Sequence, residues 1–469
     1  MAGIQLQKSK PLSVFTLTMI NIIAIDSLRN LPMNATYGLS IGFYYLLGAI
    51  LFLIPTALIT AELATHHPRT GGTYLWVKDA FGPRWGFANI WLQWIYNVIW
   101  YPTILSFIAA SVAYLINPDL SANKTYMVSM IIGVFLVATF INSFGIQNSA
   151  RLSVVGAIVG TLLPMAFLIG LAFYWLHATH PVATPITLHA LVPDFSHLPN
   201  LAFLVVILFS LMGLEMSSVH AGDVGNPKTD YPKALWWSSI LIVLTLVFSS
   251  SAIAIVLPPS AINIVSGVNE AFAAFLQQEH LSWALPIAVL MIILGGFAGM
   301  SAWVIGPTRG LMVAAEEGCL PHWFARKNLR GAPITVLIAQ AIIVCLLCTL
   351  FYFFQAISTA YWVLSDLTAQ LALVYYIILF AAAIRLRYKT PVLEHAYRIP
   401  FGNVGIWVVG LVGITTCVVA IILGFLIPAD VPVDHRSLYE WTLILGMVIF
   451  FALPFLIYSA VKRTPSLEG

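Results

Sequence analysis

Long runs of apolar residues, each about the length of one membrane-spanning helix, recur along the whole sequence. A helix needs roughly 20 apolar residues to cross a hydrocarbon core of about 30 Å, because each residue adds about 1.5 Å. The runs are continuous and longer than the roughly ten-residue alternating strands of a membrane β-barrel. The pattern therefore predicts an all-α integral membrane protein whose twelve transmembrane helices occupy residues 12–36, 41–64, 85–116, 125–145, 151–176, 198–221, 234–257, 282–315, 333–354, 358–385, 404–427 and 437–461.

Composition and the distribution of charge agree with this class. Of the 469 residues, 60% are hydrophobic and 8% are charged, and the mean hydropathy is +0.93, far above that of soluble globular proteins. Of the 21 Lys and Arg residues, all but Arg29, Lys124 and Arg436 fall on the same side of the membrane as the N-terminus. Because cytoplasmic loops carry the excess of basic residues, both termini are predicted to be cytoplasmic.

The first predicted helix contains a stretch, AIDSLRNLP, that is unfavourable inside a helix. Pro32 removes a backbone donor and disfavours helical geometry at Leu31, while Asp26, Ser27 and Asn30 favour caps and turns. In lipid, backbone that leaves a helix must find its partners within the protein, so a broken helix is expected to line a cavity. The stretch therefore marks a candidate site.

A second interruption is predicted in the sixth apolar run, where FSLMGLEMSS contains Gly213 and Glu215. An ionised side chain at the bilayer centre costs at least about 2.5 to 3.5 kcal/mol, so Glu215, Asp26 and Arg29 are expected to face a polar interior. An alternative for Asp26 and Arg29, three residues apart, is an ion pair within one helix. The alternative for Glu215 is a structural role, in which it caps or bridges the ends of the broken helix.

The two interruptions lie five crossings apart. This spacing is typical of two inverted repeats of five helices, with a substrate site at the midplane where the breaks meet. The single transmembrane domain then consists of a first repeat at 12–176, a second repeat at 198–385 and two additional helices at 404–461. Helix N-termini suit a carboxylate and freed carbonyls suit an ammonium group, so a zwitterionic substrate is expected.

The third predicted helix carries a polar stripe, because Gln93, Asn97 and Tyr101 recur every four residues. The stripe is interpreted either as a third wall of the site, with Asn97 and Tyr101 as binding residues, or as polar packing between helices. Both interpretations have equal weight at this stage.

The outward half of the tenth predicted helix carries Tyr361, Trp362 and Asp366. The two aromatic residues are candidates for a gate over the substrate, with interfacial anchoring as the alternative. Asp366 lies about 12 Å into its helix by the helical rise and needs a partner there. A buried carboxylate can also take up a proton, so Asp26, Glu215 and Asp366 are the candidates for proton coupling.

No metal site, cofactor or catalytic residue is predicted. Cys345 and Cys348 have a CxxC spacing, but no matching pair of Cys or His residues accompanies them, so they are interpreted as packing residues. A membrane enzyme would need a cluster of His residues or paired catalytic acids at the membrane face, and the sequence has none. A nucleic-acid partner is not expected either.

Several motifs resemble those of the amino acid, polyamine and organocation (APC) transporters. GLEMSS followed by GNPKTDYPKA resembles the sixth-helix region of that superfamily. AELATHHPRTGGTYLWVKDAFGPRWGF resembles the end of its second helix and the following loop, and GPTRGLMVAAEEGCLPHWFARKNLRGAPI resembles the loop after its eighth helix. Within the superfamily, ILFLIPTALITAELAT, SLMGLEMSSVHAGDVGNP and WVIGPTRG are most similar to the bacterial glutamate:GABA antiporters.

The resemblance implies a LeuT-like fold of twelve helices with helices 1 and 6 broken, located in a bacterial cytoplasmic (inner) membrane. By position, Ile25, Asp26 and Ser27 match the unwound segment of helix one that holds the substrate carboxylate and ammonium in family members. Phe209 matches the aromatic gate of helix six, and the turn that follows the gate corresponds to Met212, Gly213, Leu214 and Glu215. The sequence departs from the family at IDS, where a glycine-rich turn is usual. The negative charge of Asp26 would repel a substrate carboxylate unless Arg29 or a proton compensates it.

The function implied is secondary active transport of amino acids by alternating access, with exchange of the glutamate:GABA type. The partners are then a small amino acid or amine, the lipid bilayer and, where a carboxylate couples to transport, protons. A proton-coupled amino acid symporter is the alternative, as is a polyamine transporter that uses Asp26, Glu215 and Asp366. The sequence leaves open both this choice and the oligomeric state.

Overall fold

The computed structural model of the chain describes residues 11–67, 71–144, 153–193, 201–354, 356–389, 393, 396–426 and 436–463. Every extended regular element in these ranges is a helix, and one isolated β-bridge joins Leu12 to Val224. The predicted all-α class is thereby confirmed.

Within the described residues, eleven helices are long and apolar enough to cross a membrane, and a shorter apolar helix lies at the predicted sixth position. This series confirms the predicted order of elements. The crossings are, from first to twelfth, Val14–Ala35, Gly38–His66, Pro83–Ile116, Lys124–Ser143, Ser153–His177, Phe203–Ser218, Pro227–Val256, Ser282–Glu316, Ile334–Phe353, Ile357–Lys389, Gly402–Leu423 and Tyr439–Arg463.

Two helices outside this series were not predicted. One, Gly72–Phe81, follows the second crossing, and Gly82 with a φ of +95° separates it from the third crossing, which begins at Pro83. The other, Gly267–Gln278, precedes the eighth crossing and buries one face that includes Val268, Phe272 and Phe275. Both are too short to span a membrane, so a search for long apolar runs does not find them.

The crossings differ in how deeply they are buried. In the most apolar stretch of the tenth crossing 83% of the residues are buried within the protein, and in the first and third crossings the share is 72%. The corresponding share in the twelfth crossing is 6%. The first, third and tenth crossings therefore form the centre of the protein, and the twelfth lies at its edge.

The fifth and eighth crossings approach each other more closely than side chains would allow. A π-helical turn, Gly156–Leu162, places Gly160 against Gly295 of the eighth crossing. A Cβ atom added to Gly295 would overlap the carbonyl oxygen of Gly160, which is backbone and cannot rotate away. This contact brings the backbones of the fifth and eighth crossings together.

We expect Gly295→Ala to destabilise the protein by about 1 to 3 kcal/mol, because an added methyl group must push two helices apart. The measurement is the midpoint of thermal unfolding of the purified protein in detergent. Gly170→Ala is the matched control, since Gly170 is an exposed helical glycine with no atom within 4 Å of an added Cβ. Equal unfolding midpoints for the two variants would contradict the close contact.

Candidate functional site

The first crossing is broken where the sequence predicts it. Its opening helix, Val14–Ile25, ends at Asp26, and Ser27 is extended with φ −124° and ψ 123°. A short 3-10 turn, Leu28–Asn30, leads into the second half of the crossing. Pro32 lies in the first turn of that half. The indole of Trp303 in the eighth crossing donates a 2.8 Å hydrogen bond to the carbonyl of Ala24. The eighth crossing thus satisfies a backbone acceptor at the broken end.

The sixth crossing is broken at Gly213. Its helix Phe203–Ser210 ends shortly before Gly213, which has a φ of +126°, and the chain continues as a 3-10 helix, Leu214–Asp223. The hydroxyl of Tyr376 accepts a 2.9 Å hydrogen bond from the N–H of Gly213 and donates a 2.6 Å bond to Glu215. Tyr376 therefore links Gly213 to Glu215, whose second carboxylate oxygen is buried without a hydrogen-bond partner among the described residues. The role of Glu215 stays a prediction.

The two breaks are in direct contact. A Cβ atom added to Gly213 would lie 2.9 Å from the ring of Trp303 and 3.1 Å from the side chain of Ile25. The carbonyl of Ala24 would be 3.5 Å away. The neighbouring residues Met212 and Leu214 are buried in the same core. The prediction that the breaks in the first and sixth crossings meet is confirmed.

Arg29 is the most unusual residue near the breaks, because its guanidinium is buried with a side chain only 2% exposed in total. Its Nη1 donates to the hydroxyls of Thr103 and Tyr361 at 3.0 Å each and to that of Ser365 at 3.3 Å. Its Nη2 donates to the side chain of Asn30 at 2.7 Å. All four acceptors are neutral, so they leave the charge uncompensated.

Aromatic rings surround the same guanidinium. The Cζ atom of Arg29 lies 5.2 Å from the ring of Phe209, 5.3 Å from that of Tyr361 and 6.0 Å from that of Trp100. These distances allow cation–π attraction, which partly offsets the loss of water. The Nε of Arg29 has no hydrogen-bond partner, and Arg29 forms no ion pair within the described ranges. The guanidinium thus has the chemistry that pairs with an anionic group.

Asp26 is also buried, and it does not pair with Arg29. Its Oδ2 accepts a 2.7 Å hydrogen bond from Thr245 in the seventh crossing, and its Oδ1 has no partner. The intrahelical pair considered as an alternative is therefore not formed. The reason is the extended backbone at Ser27, which turns Asp26 toward the seventh crossing and Arg29 toward the third and tenth.

A small cavity lies beside the first break and is lined by Asp26 and Ser27. Its other walls come from the third, fifth and eighth crossings, including Trp100, Thr161 and Trp303. Residues of the sixth crossing do not line it. This cavity thus lies on one side of the first break, and the prediction of a substrate site between the two breaks stays a prediction.

The polar stripe of the third crossing faces its neighbours and not this cavity. The amide of Asn97 donates to the carbonyl of Gln93 in its own helix at 2.7 Å, and the ring of Tyr101 packs 5.0 Å from that of Phe135. Gln93 of the stripe also donates to the sulfur of Met216, just past the break in the sixth crossing, at 3.5 Å, so both interpretations of the stripe stay predictions. Trp100, one residue before Tyr101, is the residue of this helix that reaches both the cavity and Arg29.

The predicted gate residues divide into two groups. Phe209 and Tyr361 lie against Arg29, and the Tyr361 hydroxyl also donates to the Arg29 carbonyl at 3.3 Å. Trp362 instead donates to the hydroxyl of Tyr439 at 3.3 Å, and Tyr439 donates to Asp366. Their roles in gating and proton coupling stay predictions.

Sequence reasoning missed four residues that hold the site together: Trp100, Thr245, Trp303 and Tyr376. Trp303 lies within WVIGPTRG, a segment that carried the family resemblance, so a signal for it was present. The other three have ordinary apolar surroundings in the sequence. Only their contacts across crossings identify them.

A buried ion pair lies on the side predicted to be cytoplasmic. Arg387 of the tenth crossing donates to Glu62 of the second at 2.5 Å, and both side chains are buried. Arg387 also donates to the carbonyls of Ile399 at 3.1 Å and Gly402 at 2.8 Å, while the N–H of Ile399 donates to Glu62 at 2.7 Å. This cluster, Glu62–Arg387–Ile399–Gly402, joins the second crossing, the tenth crossing and the start of the eleventh.

A second contact on this side joins the helix Gly72–Phe81 to the end of the eighth crossing. Lys78 donates to Glu317 at 2.6 Å, and Tyr74 donates to the same carboxylate. Burial raises the pKa of Glu317, but the hydrogen bonds from Lys78 and Tyr74 outweigh it, and the pKa lies below its ordinary value. The contact is therefore retained at neutral pH and lost as the pH falls through that lowered pKa.

Comparison with known proteins gives a consistent set of relatives. The family model described as amino acid permease matches residues 12–450. An uncharacterized transporter of Legionella pneumophila is 49% identical over 95% of this chain and 96% of its own length. A glutamate/gamma-aminobutyrate antiporter of Lactococcus lactis is 30% identical over 96% and 90%, and a probable agmatine/putrescine antiporter of that species is 27% identical over 63% and 62%.

Proposed function

The chain belongs to the amino acid permease family of the APC superfamily, and from this premise we propose that it is an amino acid antiporter of the glutamate/γ-aminobutyrate type. Two Lactococcus lactis relatives carry that name and align with 96% of this chain. Transport through a membrane of a small amino acid or amine is the general activity of the family members named above.

The observation that carries the finer assignment is the buried guanidinium of Arg29. A charge removed from water is costly unless an opposite charge pairs with it, and the described part of the chain offers Arg29 none. A substrate carboxylate supplies that charge, in bidentate geometry if it approaches the free Nε. Glutamate and γ-aminobutyrate both carry such a group.

The rest of the proposed binding mode follows from the broken helices. The substrate ammonium is placed near Asp26, whose Oδ1 is unpartnered and which lines the cavity beside the first break. Phe209, which lies over Arg29, closes on the substrate. No bond in the substrate is made or broken. One group of helices then moves against the rest to expose the cavity on alternate sides.

We further propose the orientation and repeats suggested by the sequence: both termini on the cytoplasmic side of a bacterial inner membrane, with inverted repeats at 12–176 and 198–385. The excess of basic residues on one side supports the orientation. The breaks in the first and sixth crossings support the repeats.

The test is transport by the full-length protein in reconstituted vesicles. We expect labelled glutamate to enter vesicles preloaded with γ-aminobutyrate and not empty vesicles. Uptake into empty vesicles driven only by a proton gradient would contradict exchange and identify a symporter. Empty liposomes and liposomes preloaded with sucrose are the controls.

An amine carrier is the second candidate, favoured by the unpartnered oxygens of Asp26 and Glu215. These two carboxylates could hold the ammonium groups of a diamine. The same vesicles distinguish the two functions, because labelled putrescine exchanged against agmatine without any exchange of glutamate would establish an amine carrier.

A further inference from the structure

A chain of hydrogen bonds through Asn34, Tyr45 and Ser210 joins the first, second and sixth crossings. The amide of Asn34 donates to the hydroxyl of Tyr45, and the hydroxyl oxygens of Tyr45 and Ser210 are 2.9 Å apart. Because Ser210 donates its own proton to the carbonyl of Ile207 at 2.8 Å, the Tyr45 hydroxyl donates to Ser210. All three side chains are at most 1% exposed, and hydrogen bonds buried so completely fix the geometry of their partners.

The two ends of this chain lie beside the residues proposed to bind and enclose the substrate. Asn34 lies in the second half of the first crossing, which follows the turn that contains Arg29. Ser210 is the last residue of the first helix of the sixth crossing and directly follows Phe209, whose ring lies 5.2 Å from Arg29. Tyr45 therefore links the segment after Arg29 to the segment that carries Phe209.

Close packing supports the same junction. A Cβ atom added to Gly48 of the second crossing would lie 3.0 Å from the side chain of Ile207 and 3.1 Å from that of Leu211. The ring of Tyr37, which follows the first crossing, stacks on that of Phe203 in the sixth with 3.5 Å between the centroids. The two halves that meet at Tyr45 are thus packed together as well as hydrogen-bonded.

We propose that Tyr45 is a positioning residue for transport: its hydroxyl ties the two broken crossings together and thereby holds Phe209 over Arg29. The inference deepens the proposed function and rests on it, since there Phe209 closes on a substrate whose carboxylate Arg29 binds. The Arg29 guanidinium is itself held by hydroxyl groups of the third and tenth crossings. Loss of the Tyr45 hydroxyl therefore impairs closure over the substrate and leaves binding of the carboxylate intact.

Tyr45→Phe tests this by removing the hydroxyl and keeping the ring. We expect the maximal rate of glutamate/γ-aminobutyrate exchange in vesicles, per folded protein, to fall about 10-fold, the loss that one buried hydrogen bond explains. The glutamate concentration that half-maximally raises the unfolding temperature is expected to change less than about 2-fold. Tyr126→Phe is the matched control, since its hydroxyl also joins two crossings, by a 3.1 Å hydrogen bond to the carbonyl of Ala109.

Ser210→Ala removes the other end of the same link. The double variant Tyr45→Phe/Ser210→Ala is expected to lose little more activity than Tyr45→Phe alone, because both substitutions break one chain of hydrogen bonds. Ser111→Ala is the matched control for the serine. Ser111 is buried, donates to a carbonyl of its own helix and accepts a 3.1 Å bond from the amide of Asn269, so its effect is expected to be independent of Tyr45.

Hydrogen exchange of backbone amides supplies a measurement that needs no substrate. In Tyr45→Phe, residues 31–36 and 203–212 are expected to lose protection together, because the link between them is gone. The fourth crossing is expected to keep its protection in this variant. Tyr126→Phe is expected to show the reverse pattern.

Three results would overturn the proposal: an unchanged exchange rate in folded Tyr45→Phe, an equal fall in Tyr126→Phe, or unchanged protection of residues 31–36 and 203–212 in Tyr45→Phe. A lower unfolding temperature with an unchanged exchange rate is the first of these and assigns the hydroxyl a structural role alone. If the unmodified protein exchanges no glutamate, the proposed function fails by itself. The same variants are then compared in putrescine/agmatine exchange, and hydrogen exchange decides whether Tyr45 links the two segments.

Discussion

Replacing Gly213 by valine is expected to abolish uptake while leaving the protein inserted in the membrane. Gly213 has a φ of +126°, which a β-branched residue rarely adopts. The new side chain would also meet Trp303 at 2.9 Å and Ile25 at 3.1 Å. Because both contacts belong to the breaks, the variant displaces the two unwound segments. A misplacement of about 1 Å can reduce activity about 100-fold, so at least that loss is expected.

The matched control is Gly133→Val. Gly133 lies in the fourth crossing, is exposed, has ordinary helical geometry and has no atom within 4 Å of an added Cβ. Uptake into vesicles, normalised to the amount of protein inserted, is the measurement. Normal transport by Gly213→Val would refute the placement of the transport site at the breaks, and equal losses in both variants would indicate a general effect of valine in these helices.

Arg29→Gln is expected to reduce exchange of glutamate and γ-aminobutyrate at least about 30-fold, the loss typical when one partner of a buried charge pair is removed. Arg29→Lys is expected to restore little of it, because an ammonium group cannot reproduce the planar, bidentate geometry of a guanidinium or its stacking on aromatic rings. Counterflow in preloaded vesicles measures both variants. Arg84→Gln is the control, since Arg84 is an exposed arginine that also faces an aromatic ring, that of Phe455 at 5.0 Å.

Thermal unfolding separates substrate binding by Arg29 from a structural role. A buried cation without an acidic partner destabilises the substrate-free protein, so Arg29→Gln should unfold at the same temperature or higher. Added glutamate should raise the unfolding temperature of the unmodified protein and not that of the variant. A large fall in stability of Arg29→Gln, with glutamate still stabilising it, would contradict the assignment.

The positions of the breaks could be predicted because their causes are local. Pro32 and the polar residues before it oppose a helix wherever they occur, and Gly213 permits a backbone that other residues resist. The order of the crossings follows in the same way from the lengths of apolar runs. Neither inference requires knowledge of which helices are neighbours.

The directions of the side chains could not be predicted from the sequence. The torsions at Asp26 and Ser27 decide that Arg29 faces Tyr361, which is 332 residues away, while Asp26 faces Thr245. Consecutive side chains of the third crossing point in directions about 100° apart, so Trp100 reaches the site and its neighbour Tyr101 does not. Such choices depend on tertiary packing, which a single sequence does not reveal.

The buried pair between Glu62 and Arg387 has a consequence for how the protein moves. Leaving one member of such a pair buried without the other costs about 3 to 5 kcal/mol. Motion that preserves the pair is therefore favoured, and it carries the second crossing, the tenth crossing and the start of the eleventh along as one rigid block. The unwound ends of the first and sixth crossings lie outside that block, so we expect the hinge for opening the predicted cytoplasmic side to lie there.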